Sequence, residues 1–464
     1  MNLDKAFAYI DQNQKQLIDE LVQFLRIPSI SAHKDRDADV ARALDYDKKK
    51  LESLGFKTEV WPTRAHNGLF AERMVSPDLP TVLIYGHVDV QPADPLDLWT
   101  SPPFEPRIAD GRIWARGADD NKGQHYAQIA GVEATLKGAG ELPVNVKFII
   151  ESDEEHDSEA MAMELEKHKD KLACDVFVVS DSNFPDRDHP AVTLSLRGVL
   201  AMEVTITGAS GDKHSGEWGG MLYEPIDVLR HVLQNLKDFE TGKVLVPGFY
   251  DDVDEPTPAT RAAIAGRPWN DADKAKEQGV KRLFNEKGYT ALESGTLRPT
   301  LQTNGIQGGY TGEGFKTVIG NKAMAKISTR LVPRQHPDKI FAAVEKRIRE
   351  LVGDKGTVEI KKFGGGLPFW SDPESPYVQA GLRALTTAFG KPSVILAMGG
   401  SIPFVPHLVR VTGAPCVMMG FGLPDDNLHA PNESFPIDCF LGGAKAAAAY
   451  LAEVGAMAGA PGRE

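Results

Sequence analysis

Short apolar runs alternate with amphipathic helical stretches over the first 197 residues. The runs at 81–84, 144–150 and 175–179 are mainly apolar, as expected for strands that are buried on both faces of a sheet. Apolar residues recur at helical spacing over 7–25 and 40–54. This alternation predicts an α/β fold, in which helices flank a mainly parallel sheet.

The hydrophobic pattern changes near Gly198. Residues 201–207 alternate between apolar and polar, which is typical of a strand with one exposed face, and an amphipathic helix is predicted over 225–239. The stretch 251–300 shows little pattern, and the α/β pattern returns at about residue 375, with a last helix predicted over 442–456. We therefore predict one α/β domain in two parts, residues 1–197 and 373–464, and an inserted α+β domain at 198–372.

Composition narrows the class of protein. A chain of 464 residues with 42% hydrophobic and 25% charged residues is typical of a soluble globular protein. A net charge of −13 argues against a nucleic-acid partner. No apolar run approaches membrane-spanning length, and the N-terminus has no signal-peptide pattern. Three cysteines give no disulfide framework and are expected to be buried thiols, so we expect a cytoplasmic protein without a membrane partner.

Polar side chains collect where the predicted strands end. His87 and Asp89 follow the first buried strand, and ligands gather at the carboxyl ends of strands in open α/β sheets. A His-x-Asp pair alone is more often a polar turn than a metal site, so a metal site requires partners. The candidate partners at later strand ends and loops are Asp120, Glu154, Glu155, Asp181 and His429.

These two histidines and five carboxylates are expected at one edge of the sheet. Buried carboxylates are very costly without cations, and mixed imidazole and carboxylate ligands suit zinc, with manganese or cobalt as alternatives. One ion would leave several acids unpaired, whereas two ions about 3.5–4 Å apart, bridged by a carboxylate and a water, would use them all. Such a pair activates water at neutral pH, and a glutamate that is not a ligand is needed as the base.

The same residues carry a family resemblance. The chain resembles the di-zinc metallopeptidase family of carboxypeptidase G, succinyl-diaminopimelate desuccinylase and the carnosine dipeptidases, and it is most similar to the branch of cytosolic non-specific dipeptidases and carnosinases. The motifs that carry this resemblance are Gly86-His87-Val88-Asp89-Val90-Gln91-Pro92, Arg116-Gly117-x-x-Asp120-Asn121-Lys122-Gly123, Glu154-Glu155, Ser180-Asp181, Lys213-His214-Ser215-Gly216, Thr317-Val318-Ile319, Arg330-Leu331-Val332-Pro333 and Gly399-Gly400-Ser401-Ile402-Pro403.

The resemblance implies a set of five metal ligands. His87 and Asp181 would bind one ion, and Glu155 and His429 would bind the other. Asp120 would bridge the two ions, and the peptide bond that follows it would be cis.

The resemblance also implies the residues that support the chemistry. Asp89 would orient the ring of His87. Glu154 would be the general base that activates the bridging water and then protonates the leaving amine.

The inserted domain would be a lid and a dimerisation domain. The resemblance implies that His214 reaches the active site of the partner subunit in a homodimer and stabilises the oxyanion. Arg330 would hold the C-terminal carboxylate of the substrate, with hydrogen bonds added by Thr317 and Ser401. From the residues alone, His214 could equally be a plain loop residue and Arg330 a surface cation on a strand.

Three functional hypotheses remain. The first is metal-dependent hydrolysis of dipeptides or of a C-terminal peptide bond. The second is a deacylase or amidase that cleaves N-acyl or N-carbamoyl amino acids at the same centre. The third is a non-catalytic binding protein on the same fold, which the complete ligand set and the additional Glu154 disfavour.

Overall fold

The computed structural model describes residues 1–156, 158–398, 402 and 404–457. These residues form two compact units. The first unit contains Met1–Leu194, Ser371–Leu396 and the described residues from 404 onward. The second contains Ser195–Trp370 together with Ala397, Met398 and Ile402. The predicted α/β class, with a mainly parallel central sheet and flanking helices, is confirmed.

Strands and helices are numbered in chain order. The strands are β1 (Lys57–Trp61), β2 (Gly68–Arg73), β3 (Thr81–His87), β4 (Arg107–Ala109), β5 (Arg112–Trp114), β6 (Asn145–Glu151), β7 (Val176–Val179), β8 (Ala191–Leu196), β9 (Gly198–Thr207), β10 (Lys213–His214), β11 (Thr300–Gly308), β12 (Val318–Ile319), β13 (Lys322–Leu331), β14 (Thr357–Gly366), β15 (Phe369–Trp370), β16 (Val394–Ala397), β17 (Cys416–Met418) and β18 (Ser434–Pro436). The helices are α1 (Leu3–Gln12), α2 (Gln14–Leu25), α3 (Asp37–Ser53), α4 (Lys122–Ala134), α5 (Glu159–Lys167), α6 (Lys169–Leu172), α7 (Ser215–Trp218), α8 (Pro225–Leu236), α9 (Pro258–Ala265), α10 (Asp271–Glu277), α11 (Ala291–Thr296), α12 (Pro337–Val352), α13 (Pro376–Phe389), α14 (Phe404–Thr412) and α15 (Ile437–Ala456).

The central sheet of the first unit runs in the order β1-β2-β6-β3-β7-β17-β8. The strands β6, β3, β7 and β17 are parallel, whereas β1 and β2 are antiparallel at one edge. Every residue of β6 and of α4 is buried, and α4 packs against α15 and α2. The apolar runs of the sequence are therefore strands covered by helices, as predicted.

Three predicted helix boundaries are wrong. The helix predicted over 225–239 ends at Leu236, because Lys237 is extended. The helix predicted over 7–25 is two helices, because α1 ends at Gln12 and α2 begins at Gln14. The last helix begins at Ile437 and not at 442, so Gly442 lies inside the helix, where a Cβ would collide with the ring of Phe389.

The second unit has an antiparallel sheet in the order β11-β13-β9-β14. Buried and half-buried residues alternate along β9, as the alternating pattern predicted. Apolar residues of α8 and α12 pack against the sheet and form the core of this unit. The stretch 251–300, which shows no clear pattern in the sequence, contains α9, α10 and α11.

No helix among the described residues is long and apolar enough to cross a membrane. The three cysteines are free thiols, of which Cys416 and Cys439 are buried as expected, whereas Cys174 is only half-buried.

Candidate metal centre

The ends of three parallel strands place the first residues of the site. His87 is the last residue of β3, and Glu154 and Glu155 follow β6 by a few residues. Asp181 follows β7 by two residues. Asp120 lies just before the N-terminus of α4. Because neighbouring parallel strands end at the same edge of the sheet, these side chains converge.

Asp120 lies between two histidines. Its Oδ1 is 3.3 Å from Nε2 of His87, and its Oδ2 is 2.9 Å from Nε2 of His429. His429 Nε2 is also 3.3 Å from Glu155 Oε2. The ligand atoms of His87, Asp120 and Asp181 lie within 4.8 Å of one another, and so do those of Asp120, Glu155 and His429. The two groups share Asp120, which is the geometry that a bridging carboxylate requires.

The donor set fits two divalent metal ions. Nε2 of His87 is buried and makes no hydrogen bond with another described residue, although a carboxylate oxygen lies 3.3 Å away. Three carboxylates and two imidazoles are the ligand types that zinc accepts, and manganese or cobalt accept them too. An imidazole nitrogen buried without a partner among acids is explained if it is a metal ligand.

The pKa values of two residues in this cluster are shifted in the direction that favours positive charge. Burial raises the pKa of Asp181 to about 7, and the negative charge of Asp120 adds to this shift. Hydrogen bonds to Asp120 and Glu155 raise the pKa of His429 to about 10, although burial opposes the shift. The cluster therefore favours cations, and protons and metal ions compete for it.

Glu154 has the surroundings expected of a proton-transfer group. Burial raises the pKa of its carboxyl well above the usual range; His87 opposes the shift, and Asp181 and Glu155 increase it. Its carboxylate makes no hydrogen bond with another described residue, whereas the neighbouring Glu155 accepts one from Gln91. Two adjacent glutamates thus differ in their contacts, and only Glu155 belongs to a metal-binding group.

Asp89 contacts the ring of His87 and the backbone of the two adjacent glutamates. Nδ1 of His87 lies 3.2 Å from its carbonyl oxygen and 3.4 Å from Oδ1. The Asp89 carboxylate also accepts the backbone N–H groups of Glu154 and Glu155, at 3.2 and 3.0 Å, and the hydroxyl of Ser31 at 2.7 Å. One buried carboxylate thereby fixes the ring of His87 and the turn that carries both glutamates.

Two side-chain amides donate to candidate metal-binding carboxylates, and sequence reasoning gave neither amide a role. Gln91 donates to Glu155 Oε2 at 2.9 Å, and Asn121 donates to Asp181 Oδ1 at 3.1 Å. The peptide bond between Asp120 and Asn121 is cis, as the resemblance implied. Both amides lie inside recognised motifs, so their position in those motifs was the available signal.

Glu433 is a further residue that the sequence did not reveal. Its Oε1 accepts the backbone N–H groups of Asp119 and Asp120 at 3.0 and 3.1 Å. Its Oε2 accepts the N–H of Gly117 at 2.9 Å and Nη1 of Arg116 at 2.7 Å. In the sequence it is an acid beside an asparagine, which is also typical of an exposed turn.

The remaining predicted residues lie in the second unit. His214 is exposed on β10, which pairs with β12, and its Nδ1 accepts the N–H of Gly216 at 2.9 Å. Thr317 directly precedes β12. Arg330 lies on β13 and is half-buried. Ser401 lies outside the described residues.

Known proteins are similar to this chain along nearly its whole length. The model of "Peptidase family M20/M25/M40" matches residues 83–453. The Cys-Gly metallodipeptidase dug1 of Schizosaccharomyces pombe is 29% identical over 98% of this chain and 99% of its own length. The human Beta-Ala-His dipeptidase is 30% identical over 97% of this chain and 92% of its own.

Solved structures are also similar to this chain along nearly its whole length. Human carnosine dipeptidase 1 has a TM-score of 0.77 at 29% identity and covers 98% of this chain and 99% of its own. The metallo-carboxypeptidase Sso-CP2 of Sulfolobus solfataricus has a TM-score of 0.80 at 31% identity, over 95% of this chain and 99% of its own.

Proposed function

Because this chain belongs to peptidase family M20/M25/M40 and is a hydrolase, we propose that it hydrolyses dipeptides, or a C-terminal peptide bond, at a centre of two divalent metal ions. The observation that carries this proposal is the position of Asp120 between His87 and His429. The names of these relatives, which refer to Cys-Gly and β-Ala-His, favour dipeptides as the first substrates to assay.

We assign the metal ligands by contact. His87 and Asp181 would hold one ion, Glu155 and His429 would hold the other, and Asp120 would contact both. Zinc is the metal that this donor set suits best, with manganese and cobalt as alternatives. When bound, the two ions would supply an activated water and polarise the carbonyl of the substrate.

Glu154 is assigned the proton transfers. Its side chain is half-buried beside the proposed ligands, and its carboxylate makes no hydrogen bond with another described residue, which leaves it available to a water or a substrate. It would accept the proton of the attacking water and donate it to the amine that leaves. A raised pKa suits both steps, because the protonated form must persist until the amide bond breaks.

The residues of the second unit are assigned to substrate binding. Arg330 would hold the carboxylate at the C-terminus of the substrate, with Thr317 and Ser401 as hydrogen-bond donors. His214 would stabilise the oxyanion, from the partner subunit of a homodimer formed through this unit. In support, the guanidinium of Arg330 makes no hydrogen bond or ion pair within the part of the chain that the structure describes.

A substrate panel tests the proposal. The full chain, saturated in turn with zinc, manganese and cobalt, is assayed on free dipeptides, the same dipeptides with an acetylated N-terminus, and N-acetyl amino acids. We expect the free dipeptides to be hydrolysed fastest. Faster cleavage of the acylated compounds would identify a deacylase at the same centre, and no hydrolysis of either class by protein that holds two ions would overturn the proposal.

A further inference from the structure

The second unit contains a cavity of about 260 Å³ whose walls are mainly apolar. Leu196, Leu297, Val332 and Trp370 supply the apolar surface. Pockets for drug-sized ligands usually measure about 300–1,000 Å³, so this cavity suits a smaller molecule.

Arg197 contributes an unmatched cation to this cavity. Its Nε and Nη1 are buried, and neither has a hydrogen-bond partner among the described residues. Burial and the nearby charge of Arg330 lower the pKa of Arg197 to about 10, so the guanidinium is still charged at neutral pH. Buried N–H groups without a partner are costly, and these two unused N–H groups of the half-buried Arg197 point to an oxygen anion as the missing partner.

The acidic residues that line the cavity have other partners. Asp254 pairs with Arg334 at 3.0 Å. Glu255 accepts the hydroxyl of Tyr289 at 2.5 Å and lies 3.3 Å from Arg298. Neither acid therefore neutralises Arg197.

A second polar group in the cavity wall also lacks a partner. The hydroxyl of Ser195, two residues before Arg197, is buried and makes no hydrogen bond among the described residues. A hydroxyl and two guanidinium N–H groups together offer the donors that one carboxylate can use.

We propose that this cavity, the Arg197 pocket, binds the carboxylate of a small molecule whose remaining body is apolar or aromatic. The carboxylate pairs with Arg197, and the apolar body packs against Trp370 and Leu297. Two sources could supply this chemistry: the C-terminal residue of a peptide substrate, whose carboxylate Arg197 would share with the nearby Arg330 and which rests on the proposed function, or a free carboxylic acid, which does not.

Binding of 3-phenylpropanoate tests the proposal directly. Its affinity is measured by calorimetry on the full chain, with metal bound and after chelation, and is compared with that of 3-phenylpropanamide, which has the same shape without the charge. We expect the acid to bind at least about tenfold more tightly than the amide, since charge-assisted hydrogen bonds are roughly twice as strong as neutral ones. Equal affinities, or no binding, would overturn the proposal, and a dependence on the metal would indicate binding at the metal centre instead.

Two substitutions locate the ligand. Arg197→Gln should weaken binding of 3-phenylpropanoate at least about tenfold, and Trp370→Ala should weaken it while leaving the weak binding of acetate unchanged. Arg267→Gln is the matched control, because Arg267 is another half-buried arginine of this unit with an unpartnered Nε, but it does not line the cavity. Equal losses in Arg197→Gln and Arg267→Gln would contradict the assignment.

Inhibition kinetics then separate the two sources. If 3-phenylpropanoate competes with a dipeptide and Arg197→Gln raises KM more than it lowers kcat, the pocket takes the C-terminal residue of the substrate. If the acid binds without competing, the pocket takes a free carboxylic acid. The calorimetric binding measurements do not require turnover, so they test the pocket even if the protein does not hydrolyse dipeptides.

Discussion

Glu433 holds the backbone of Asp120 through a hydrogen bond of 3.1 Å from the Asp120 N–H to Oε1. The same carboxylate receives three more donors from the loop that ends at Asp120, and it lies four residues after His429. Glu433 therefore links the loop of Asp120, the carboxylate shared by the two candidate metal-binding groups, to the loop of His429. Such contacts behind metal ligands commonly change metal affinity by about 10–100-fold.

Glu433→Gln should weaken metal binding without unfolding the protein. The amide has nearly the same size, but its NH₂ group cannot accept hydrogen bonds, so at least one pair of N–H donors loses its acceptor. Titration of chelated protein with zinc should show affinity lowered by about 10–100-fold for at least one ion, with an unchanged circular dichroism spectrum. Glu133→Gln is the control, because Glu133 is also fully buried but pairs with Lys50 and Lys137; equal effects would refute the link to the metal.

Glu154→Gln should abolish hydrolysis while two ions remain bound. The amide keeps the shape of the side chain but cannot take a proton from water, and general acid–base groups contribute about 10²–10⁴-fold to the rate. We expect a fall of that order in kcat, with metal content unchanged by elemental analysis. Glu151→Gln is the neighbouring control, because the Glu151 carboxylate already accepts hydrogen bonds from Tyr85 and Ser158. Near-normal kcat in Glu154→Gln would rule out the assigned base.

Removal of metal should destabilise the first unit. Asp120, Glu155 and Asp181 repel one another, and burial penalises their charges, so bound cations stabilise the folded state by mass action. A free metal concentration of 100 times Kd corresponds to about 2.7 kcal/mol. Calorimetry should show a lower Tm after chelation, recovery on addition of zinc, and a much smaller zinc effect in His87→Ala. An equal zinc effect in His87→Ala would exclude His87 as a ligand.

Strand ends made much of the metal centre predictable. His87 and Asp181 follow strands whose apolar runs are evident in the sequence, and parallel strands bring their carboxyl ends to one edge. Glu433 was not predictable, because its partners are backbone N–H groups, which no side-chain pattern records. The short distance between the side chains of Asp120 and His429 likewise depends on loops, and the hydrophobic pattern does not specify the conformation of loops.

The stretch 251–300 was unpredictable for a related reason. It is organised around the guanidinium of Arg298, which pairs with Glu286 through two hydrogen bonds of 3.1 Å. The same group lies over the rings of Tyr289 and Tyr250, at 4.2 and 5.4 Å from their centres. A charged group at the centre of these contacts, beside a small apolar cluster of Ile264, Leu292 and Leu297, gives little apolar periodicity.

Arg298→Met should therefore destabilise the second unit. The side chain of Arg298 is only 5% exposed, and loss of one partner of a buried pair usually costs about 3–5 kcal/mol. We expect a lower Tm for this unit in calorimetry and faster proteolytic cleavage within 251–300. Arg282→Met is the control, since Arg282 is exposed and makes no ion pair among the described residues. Equal cleavage rates in the two variants would show that Arg298 does not hold this stretch.

The pH dependence of stability should reveal the histidine that connects two acids of the first unit. Nδ1 of His66 lies 3.0 Å from Oδ1 of Asp153, and its Nε2 lies 3.1 Å from Oδ1 of Asp37. The hydrogen bond to Asp153 is the main cause that raises the pKa of His66 to about 9, although burial opposes the shift. An unfolded histidine has a pKa of about 6.5, so this stabilisation is complete below that pH and is lost as the pH rises through about 9. Calorimetry of metal-saturated protein should therefore show a Tm difference between the wild type and His66→Asn that is largest near pH 6 and smallest near pH 9.5. His33→Asn, which removes a ring without a hydrogen bond among the described residues, should show no such trend, and a Tm difference for His66→Asn that stays constant with pH would disprove the assignment.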